Sequence, residues 1–387
     1  MSSRTIALPK LNKPVDLLII AGEHSGDEHA ARLVERLLKS DPSLRIAAIG
    51  GRHLKAAGAE QIFDLTLHSV IGIVEVLKNY GFYKELFDKL LVWIVDVMPK
   101  NVLFVDYPGF NLRLAKKLYD RKLSRKGGGS IGVFYYISPQ IWAWKAKRRF
   151  KIAKHIDALG TLFPFEVDSY ADTDLDVSFV GHPFVSDQFK SPIVYDADGP
   201  VLLLPGSRLG SVCRIFPVLM EAFASYAKNN SGIRAAVIYP SVEIKELLEA
   251  ILSDFPEIKS RVSLEPNDQQ VKGRAALTSS GTISLICGLA GLPGAIVYKL
   301  NQFSYYFGKV VVKVPFIGIE NLLLKRAIHP EFIQDINIED LSKELVDSVE
   351  NPHRIQVSLS AGEELRQILN PQSDRSADLW LSARLVR

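Results

Sequence analysis

Apolar, β-branched runs that do not alternate with polar residues recur along this chain. Each is followed by a polar or glycine-rich turn and then by a helical pattern. The first is VDLLIIAGE (15–23), with a helix expected from about Ser25 to Lys39. RIAAIGG (45–51), NVLFVDY (101–107), IGVFYYIS (131–138), DALGTLF (157–163) and DVSFVGHP (176–183) continue the series. A strand without a polar face has to be covered on both sides, which is the condition of parallel strands flanked by helices. KSPIVYDADGP (190–200) then interrupts the pattern with prolines, a glycine and aspartates, and reads as a linker. A second series follows in VLLLPGSR (201–208), AAVIYP (235–240), RVSLEP (261–266), AALTSSGT (275–282) and GAIVYK (294–299). The expectation is an α/β chain of two tandem, doubly wound, Rossmann-like domains with a cleft between them. They cover 1–190 and 200–350, and helices over 351–387 pack back on the first domain or on a partner chain.

Composition narrows the functional classes. The chain has 387 residues, 47% of them apolar and 23% charged, with a formal charge of +4. At ~150 residues per domain this suits two or three domains of an ordinary globular protein. The mild charge does not call for nucleic acid, although clustered cations can still draw an anionic partner. Two cysteines, Cys213 and Cys287, without CxxC or metal-ligand spacing, fit a reducing cytosol. The N-terminal MSSRTIALPKLNKPVD lacks the apolar core of a signal peptide. No window approaches the ~20 apolar residues of a transmembrane helix. Any membrane contact would therefore be from the side.

In open parallel sheets, ligands bind outside the carboxyl ends of the strands. AGEHSGD (21–27) occupies such a loop. Gly22 and Gly26 allow a tight turn, Ser25 or Asp27 can cap the helix, and free N–H groups there favour an anion or polar ligand. It is not GxGxxG, so no dinucleotide fingerprint is present. His24 and His29 are five apart and do not stack on one helical face, which argues against a metal. VDYPGFN (105–111) leaves Asp106 at a strand end, where it either serves as a general base or only caps the next helix and fixes the Pro108-Gly109 turn. In LPGSR (204–208), Gly206 allows close approach, Ser207 can cap, and Arg208 offers a fork of donors suited to phosphate. TSSGT (278–282), with Ser280, Gly281 and Thr282, repeats the device one crossover later. Two such loops in one domain favour a diphosphate site over tight turns with capping serines. The acidic triplets Asp172, Asp174, Asp176 and Asp196, Asp198 sit in turn-like sequence and read as solvated loops.

Two stretches combine apolar and basic residues. Residues 69–98 are unusually apolar, with Val70, Ile71, Ile73, Val74 and Leu77 at the front and Lys78, Lys84 and Lys89 behind. They form either an interfacial segment in acyl chains or a packed core or dimer helix. ISPQIWAWKAKRRF (137–150) sets Trp142 and Trp144 against Lys145, Lys147, Arg148 and Arg149.

Taken in order, AGEHSGD, GIVEVL (72–77), DYPGFN, YISPQIWAWKAKRRFKI (136–152), FPFE (163–166), VGHP (180–183), LPGSR, SGT (280–282), NLL (321–323) and PEFIQ (330–334) make the chain resemble the lipid-A-disaccharide synthases over roughly residues 15 to 335. The resemblance implies a metal-independent, inverting glycosyltransferase of GT-B architecture that uses no cofactor. It would join UDP-2,3-diacylglucosamine to 2,3-diacylglucosamine 1-phosphate (lipid X), giving the β-1,6 disaccharide phosphate and UDP. The work would be done in the cytoplasm, peripherally at the inner face of the inner membrane, without nucleic acid; a homodimer stays open. It also implies roles. Asp106 would deprotonate the acceptor hydroxyl, and Arg208 would neutralise the leaving diphosphate. Gly206, Ser207, Ser280, Gly281, Thr282, Asn321, Glu331 and Gln334 would line the nucleotide. Glu23, Ser25, Asp27, Asn111, Trp142, Trp144 and Arg148 would serve the acceptor and its lipid. Val70, Ile71, Ile73, Val74 and Leu77 would meet the membrane. Two positions depart from the family, with Ser211 and Ile286 where glutamates are usual. Ile286 cannot accept ribose hydroxyls, so Glu320 or Glu331 would have to replace that carboxylate. Otherwise the chain would be a GT-B scaffold or binding protein with weakened activity, or a related UDP-GlcNAc-using enzyme.

Overall fold

The structure is a computed structural model describing residues 6–11, 13–68, 80–187, 189–300, 314–371 and 376–386. It divides into two units, Met1–Pro183 with Pro371–Arg387, and Phe184–Asn370.

In the first unit, β1 (Leu17–Ala21), β2 (Ile46–Gly50), β3 (Glu60–Asp64), β4 (Asn101–Val105), β5 (Gly132–Tyr136), β6 (Ala158–Thr161) and β7 (Asp176–Phe179) form one seven-stranded sheet in the order β3-β2-β1-β4-β5-β6-β7. Every pairing is parallel, with Leu17 opposite Ile46 on one side and Asn101 on the other. The helices between them are α1 (His24–Ser40), α2 (Arg52–Ala56), α3 (Tyr80–Val97), α4 (Pro108–Asp120), α5 (Arg148–His155) and α6 (Phe165–Asp168).

The unbroken apolar runs have a direct cause. Successive strand residues point to opposite faces, and both faces are covered. Leu18, Ile20, Val102 and Phe104 pack with Leu86, Leu90 and Ile94 of α3 and with Leu114 and Leu118 of α4. Leu17, Ile19, Leu103 and Val105 pack on the other side with Leu33, Val34 and Leu37 of α1. Each fully buried side chain of this kind contributes roughly 1.5–3 kcal/mol. α3 is the described half of the apolar 69–98 stretch. It buries Leu86, Leu90, Leu91, Trp93 and Ile94 and leaves Tyr80, Val92 and Val95 exposed. Val70, Ile71, Ile73, Val74 and Leu77 lie outside the described residues. Among the described residues, no helix is long and apolar enough to cross a membrane.

In the second unit, β9 (Val201–Leu204), β10 (Ala235–Tyr239), β11 (Val262–Pro266), β13 (Ala275–Ser279), β14 (Gly294–Tyr298) and β15 (Glu331–Ile333) form a six-stranded parallel sheet, β11-β10-β9-β13-β14-β15. The main covering helices are α7 (Leu209–Ala227), α8 (Val242–Leu252), α9 (Thr282–Leu289), α10 (Ile319–Leu324), α11 (Ile338–Glu350) and α12 (Pro352–Leu369). The stretch expected to be a linker is folded into this unit. β8 (Ile193–Tyr195) pairs in parallel with β12 (Val271–Gly273), and Ile193 is fully buried. The flanking prolines and aspartates mark turns at its ends and disguise a strand of three residues. α12 packs on α9 and α10, whereas α13 (Ala377–Ser382) rejoins the first unit beside α1. There Trp380 lies against Gly160 of β6, and Val386 exchanges hydrogen bonds with the Asn101 side chain.

One polar side chain organises the first unit's edge. Asp27 of α1 is completely buried. Its carboxylate accepts from the amides of Gly51 (2.6 Å), His53 (3.0 Å) and Leu54 (3.3 Å), satisfying the otherwise orphaned start of α2. A Cβ at Gly51 would sit 2.7 Å from Asp27 Oδ2, so only glycine permits this approach. Asp27→Ala leaves these buried N–H groups without partners, at about 1–3 kcal/mol for such a group. We expect the thermal midpoint of the first unit to fall by several degrees, measured by differential scanning calorimetry. An unchanged midpoint would contradict this role.

Candidate active site

In each sheet the strand order reverses beside the first strand of its series. β1 lies between β2 and β4, and β9 lies between β10 and β13. The loops leaving β1 and β4, and those leaving β9 and β13, are therefore the switch-point loops where doubly wound sheets hold ligands. They are AGEHSGD and DYPGF in the first unit, and PGSR and SSGT in the second.

At the end of β4 the backbone turns sharply. Asp106 and Tyr107 have φ of +45° and +50°, and Ile137, at the end of the neighbouring β5, has φ of +70°. A β-branched residue in this region is an outlier, and such strain persists only where surrounding bonds enforce it. Those bonds are present. The Asp106 N–H donates to Tyr136 O (3.0 Å) and the Ile137 N–H to Gly160 O (3.0 Å). Asp106 O accepts from the Tyr135 hydroxyl (2.5 Å) and the Asn111 amide (2.8 Å), and the Asn111 amide also reaches Val105 O and Ile20 O. Asn111 is buried and spends its amide N–H groups on the scaffold. Gly22 lies under the Tyr107 ring, where a Cβ would come within 2.3 Å of the ring carbon Cδ1.

The Asp106 side chain is half-buried and lines a cavity of about 250 Å³ with Ile137, Ser138, Ile141, Trp144, Arg148 and Glu166. Burial pushes its carboxyl up to about 6. The nearby Glu23 charge adds to the rise, and the Tyr107 backbone N–H opposes it. Glu23 and Ser25 are exposed at the start of α1, whereas Asp27 is turned into the scaffold. Trp142 packs edge-on against Phe165 at 5.2 Å, and Ile141 beside it is buried. Trp144 is 41% exposed, with Lys145 Nζ 4.0 Å from its ring centre and Arg148 5.9 Å away. The two tryptophans thus play different parts. Trp142 packs on Phe165 behind the cavity lining, while Trp144 lines the cavity and carries the cations.

In the second unit, Gly206 has φ of +100°, which favours glycine. A Cβ there would lie 3.1 Å from Ser279 Oγ and 3.2 Å from Ser211 Oγ, so the β9 and β13 loops are in contact. Ser211 donates to Pro205 O (2.8 Å) and closes the PGSR turn. Ser207 and Arg208 are exposed before α7, and Arg208 is close enough to Tyr298 to act on its hydroxyl. Ser280 donates to Ile317 O (3.0 Å), Gly281 has φ of +126°, and Thr282 opens α9 exposed.

The other second-unit residues are engaged locally. Glu331 accepts from the Ile317 and Gly318 amides and from the Asn321 side chain, and Asn321 Oδ1 accepts from the Ile328 and His329 amides. Gln334 exchanges hydrogen bonds with Leu300, extending the β14–β15 ladder through a side chain. Glu320 is fully buried, bonded to Ser284 (3.1 Å) and His329 Nδ1 (3.0 Å), and His329 Nε2 donates to Leu292 O. It faces the core and is not available to ribose hydroxyls. Ile286 is itself core, packed with Leu202, Leu204, Cys287 and Leu292. Three of the loop aspartates make ion pairs at the surface: Asp172 with Arg149, Asp176 with Arg384 and Asp196 with Lys272.

The residue that sequence reasoning passed over is Glu166. It lies in FPFE, a carboxylate among apolar neighbours, and only the fold shows that it is buried on the wall of the Asp106 cavity.

The family model for lipid-A-disaccharide synthetase matches residues 17–383. The chain is 34% identical over 364 residues to lipid-A-disaccharide synthase 1 of Legionella pneumophila (strain Paris), covering 92% of this chain and 93% of the relative. It is 36% identical over 332 residues to the Geobacter sulfurreducens synthase, covering 82% and 83%. Among solved structures it is similar to the glycotransferase of kitacinnamycin, with a TM-score of 0.59 and 12% identity over 96% of this chain and 99% of the other. It is also similar to UDP-GlcNAc 2-epimerase from Neisseria meningitidis, with a TM-score of 0.54 and 10% identity over 91% and 98%. At these identities the structures speak for the fold, and the sequence relatives weigh against a binding-only scaffold. Two Rossmann-like units with loaded switch-point loops, and a family match along nearly the whole chain, lead to one conclusion: the chain belongs to the lipid-A-disaccharide synthase family, disaccharide-forming glycosyltransferases of the GT-B fold.

Proposed function

We propose that the chain transfers a diacylated glucosamine from UDP to the 6-hydroxyl of 2,3-diacylglucosamine 1-phosphate, with inversion, and that Asp106 is the general base. The observation that carries this reading is the Asp106 carboxyl itself. It sits at a switch-point strand end on a rigid turn, lines a cavity, and is raised to about 6. A base poised near working pH is mostly ionised yet still takes a proton readily. In the step proposed, the acceptor oxygen attacks the anomeric carbon as its proton passes to Asp106. The carbon–oxygen bond to the diphosphate breaks, and UDP departs with the electron pair.

Donor chemistry is assigned to the second unit. The exposed Arg208 at the start of α7 and the amides of the PGSR and SGT loops suit a diphosphate, whose growing charge they would stabilise. Gly206, Ser207, Ser280, Gly281 and Thr282 form that loop pair, while Asn321, Glu331 and Gln334 hold its neighbouring backbone in place. Acceptor chemistry is assigned to the first unit. Glu23, Ser25, Trp144 and Arg148 would contact the acceptor, and Asp27, Asn111 and Trp142 would maintain the walls. A peripheral seat on the inner face of the inner membrane suits acylated substrates, with the exposed Trp144, Tyr80, Val92 and Val95 available to lipid.

Asp106→Asn should lower kcat by about 100- to 10,000-fold, as expected for loss of a general base. Turnover of UDP-diacylglucosamine with the acceptor in detergent micelles measures this, and a near-normal rate removes Asp106 from the mechanism. In the wild type, kcat/KM should rise with pH through about 6 as Asp106 ionises. A flat profile from pH 5 to 7 would contradict the assignment. Arg208→Ala should cost about 100- to 1,000-fold in kcat, and Arg208→Lys should recover only part of it, because a point charge cannot fork across two phosphate oxygens. Equal rates for the arginine and lysine forms would argue against bidentate contact.

A further inference from the structure

The cavity beside Asp106 contains a second carboxyl in a different setting. Glu166 is 2% exposed and lies on α6, and its Oε2 accepts from the Phe163 amide at 3.1 Å. The Leu162 amide also favours its ionised form. The buried Trp142 Nε1–H makes no full hydrogen bond, but adds to the same field. All three neighbours are donors. Burial outweighs them and pushes the carboxyl up to about 8, with the Asp106 charge adding to the rise. At neutral pH Glu166 therefore carries a proton, and its O–H finds no acceptor among these neighbours. The cavity it lines is about 250 Å³, below the ~300–1,000 Å³ of drug-sized pockets, and it suits a single sugar ring.

We propose that Glu166 is an acceptor-positioning residue: its carboxyl O–H donates a hydrogen bond to an oxygen of the acceptor sugar adjacent to the hydroxyl that Asp106 deprotonates. This rests on the reading of Asp106 as base and of its cavity as the acceptor site. Two carboxyls then divide the work by environment. The less buried one is an anion that takes a proton, and the enclosed one is a neutral acid that holds the ring in register. The groups facing Glu166 are Asp106 from the β4–α4 loop, Trp142 from the loop before α5, Arg148 from α5 and Tyr170 beyond α6. His182 stacks on Phe163 and is pushed down to about 3, so it stays neutral in the working range. Tyr170 is pushed up out of that range by burial. Glu166 is therefore the group of this wall that changes charge near pH 8.

The test is the pH dependence of kcat/KM for the acceptor in wild type, Glu166→Gln, Glu166→Ala and Asp106→Asn, with thermal melting to establish that each is folded. Wild type should rise through about 6 and fall through about 8 as Asp106 and then Glu166 lose their protons. Glu166→Gln keeps a neutral donor at every pH. It should retain activity within about 5-fold at pH 7 and lose the alkaline fall. Glu166→Ala should raise the acceptor KM about 10-fold, as loss of one hydrogen bond implies, with the donor KM unchanged. An alkaline fall that persists in folded Glu166→Gln, or equal loss in the glutamine and alanine variants, overturns the proposal. If Asp106→Asn is inactive while Glu166→Gln keeps the wild-type profile, only Glu166 is misassigned. If Asp106→Asn retains the wild-type rate, the base reading fails, and the assignment of Glu166 falls with it.

Discussion

The side-chain amide of Asn111 joins the ends of two neighbouring strands, and the geometry of the first unit's site depends on it. From α4 it reaches the carbonyls of Ile20, Val105 and Asp106. These are strand-end carbonyls at the point where the sheet order reverses, and buried without a donor they would be costly. Paired in this way, they allow the chain to leave β4 through two successive left-handed residues. The Asp106 side chain is thereby brought to the cavity while its backbone is held by Tyr135 and Tyr136. A fixed backbone matters for a base, since a displacement of about 1 Å can cost on the order of 100-fold in rate.

The second unit repeats the same topology with different chemistry in its loops. Its switch-point loops present backbone amides and the Arg208 guanidinium, with Arg214 nearby on α7, and among the described residues Glu320 and Glu331 are already bonded. Ser211 closes the PGSR turn through Pro205 O. Ile286 fills the core, and Glu320 is locked between Ser284 and His329. A loop pair with little negative charge is better suited to a diphosphate than to a cation. In the proposed donor site, the nucleotide would be held largely by main-chain groups, which substitution of side chains alters less.

How far the sequence could be read depended on whether a residue's role is local. The central strands were legible, because coverage of both faces requires apolar residues at successive positions, as in Leu17 to Ala21 or Val102 to Val105. β3, β12 and β15 were not, since short edge strands such as Glu60–Asp64 need no such run. β8 was hidden by the turn residues at its ends. Asp27 looked like a ligand group in a glycine-rich loop, but its partners are amides more than twenty residues further along the chain. Glu166 was illegible for a related reason. Nothing in FPFE tells a solvated glutamate from one enclosed by α6, Trp142 and the end of β6. Burial is a property of the assembled unit, and it is burial that separates the behaviour of the two carboxyls.

The route of the chain has a consequence for how the molecule is made. The first unit is not a continuous stretch, because residues from Pro371 onward return to it, Trp380 seats on Gly160, and Val386 pairs with Asn101 beside β1 and β4. Synthesis proceeds from the N-terminus, so a ribosome has produced the whole of Phe184–Asn370 before the last pieces of the older unit exist. The younger, uninterrupted unit can mature during elongation, while the older one waits, with the Trp380 seat open, until residues 376–386 have been made. Closure of the first unit is thereby coupled to synthesis of the second.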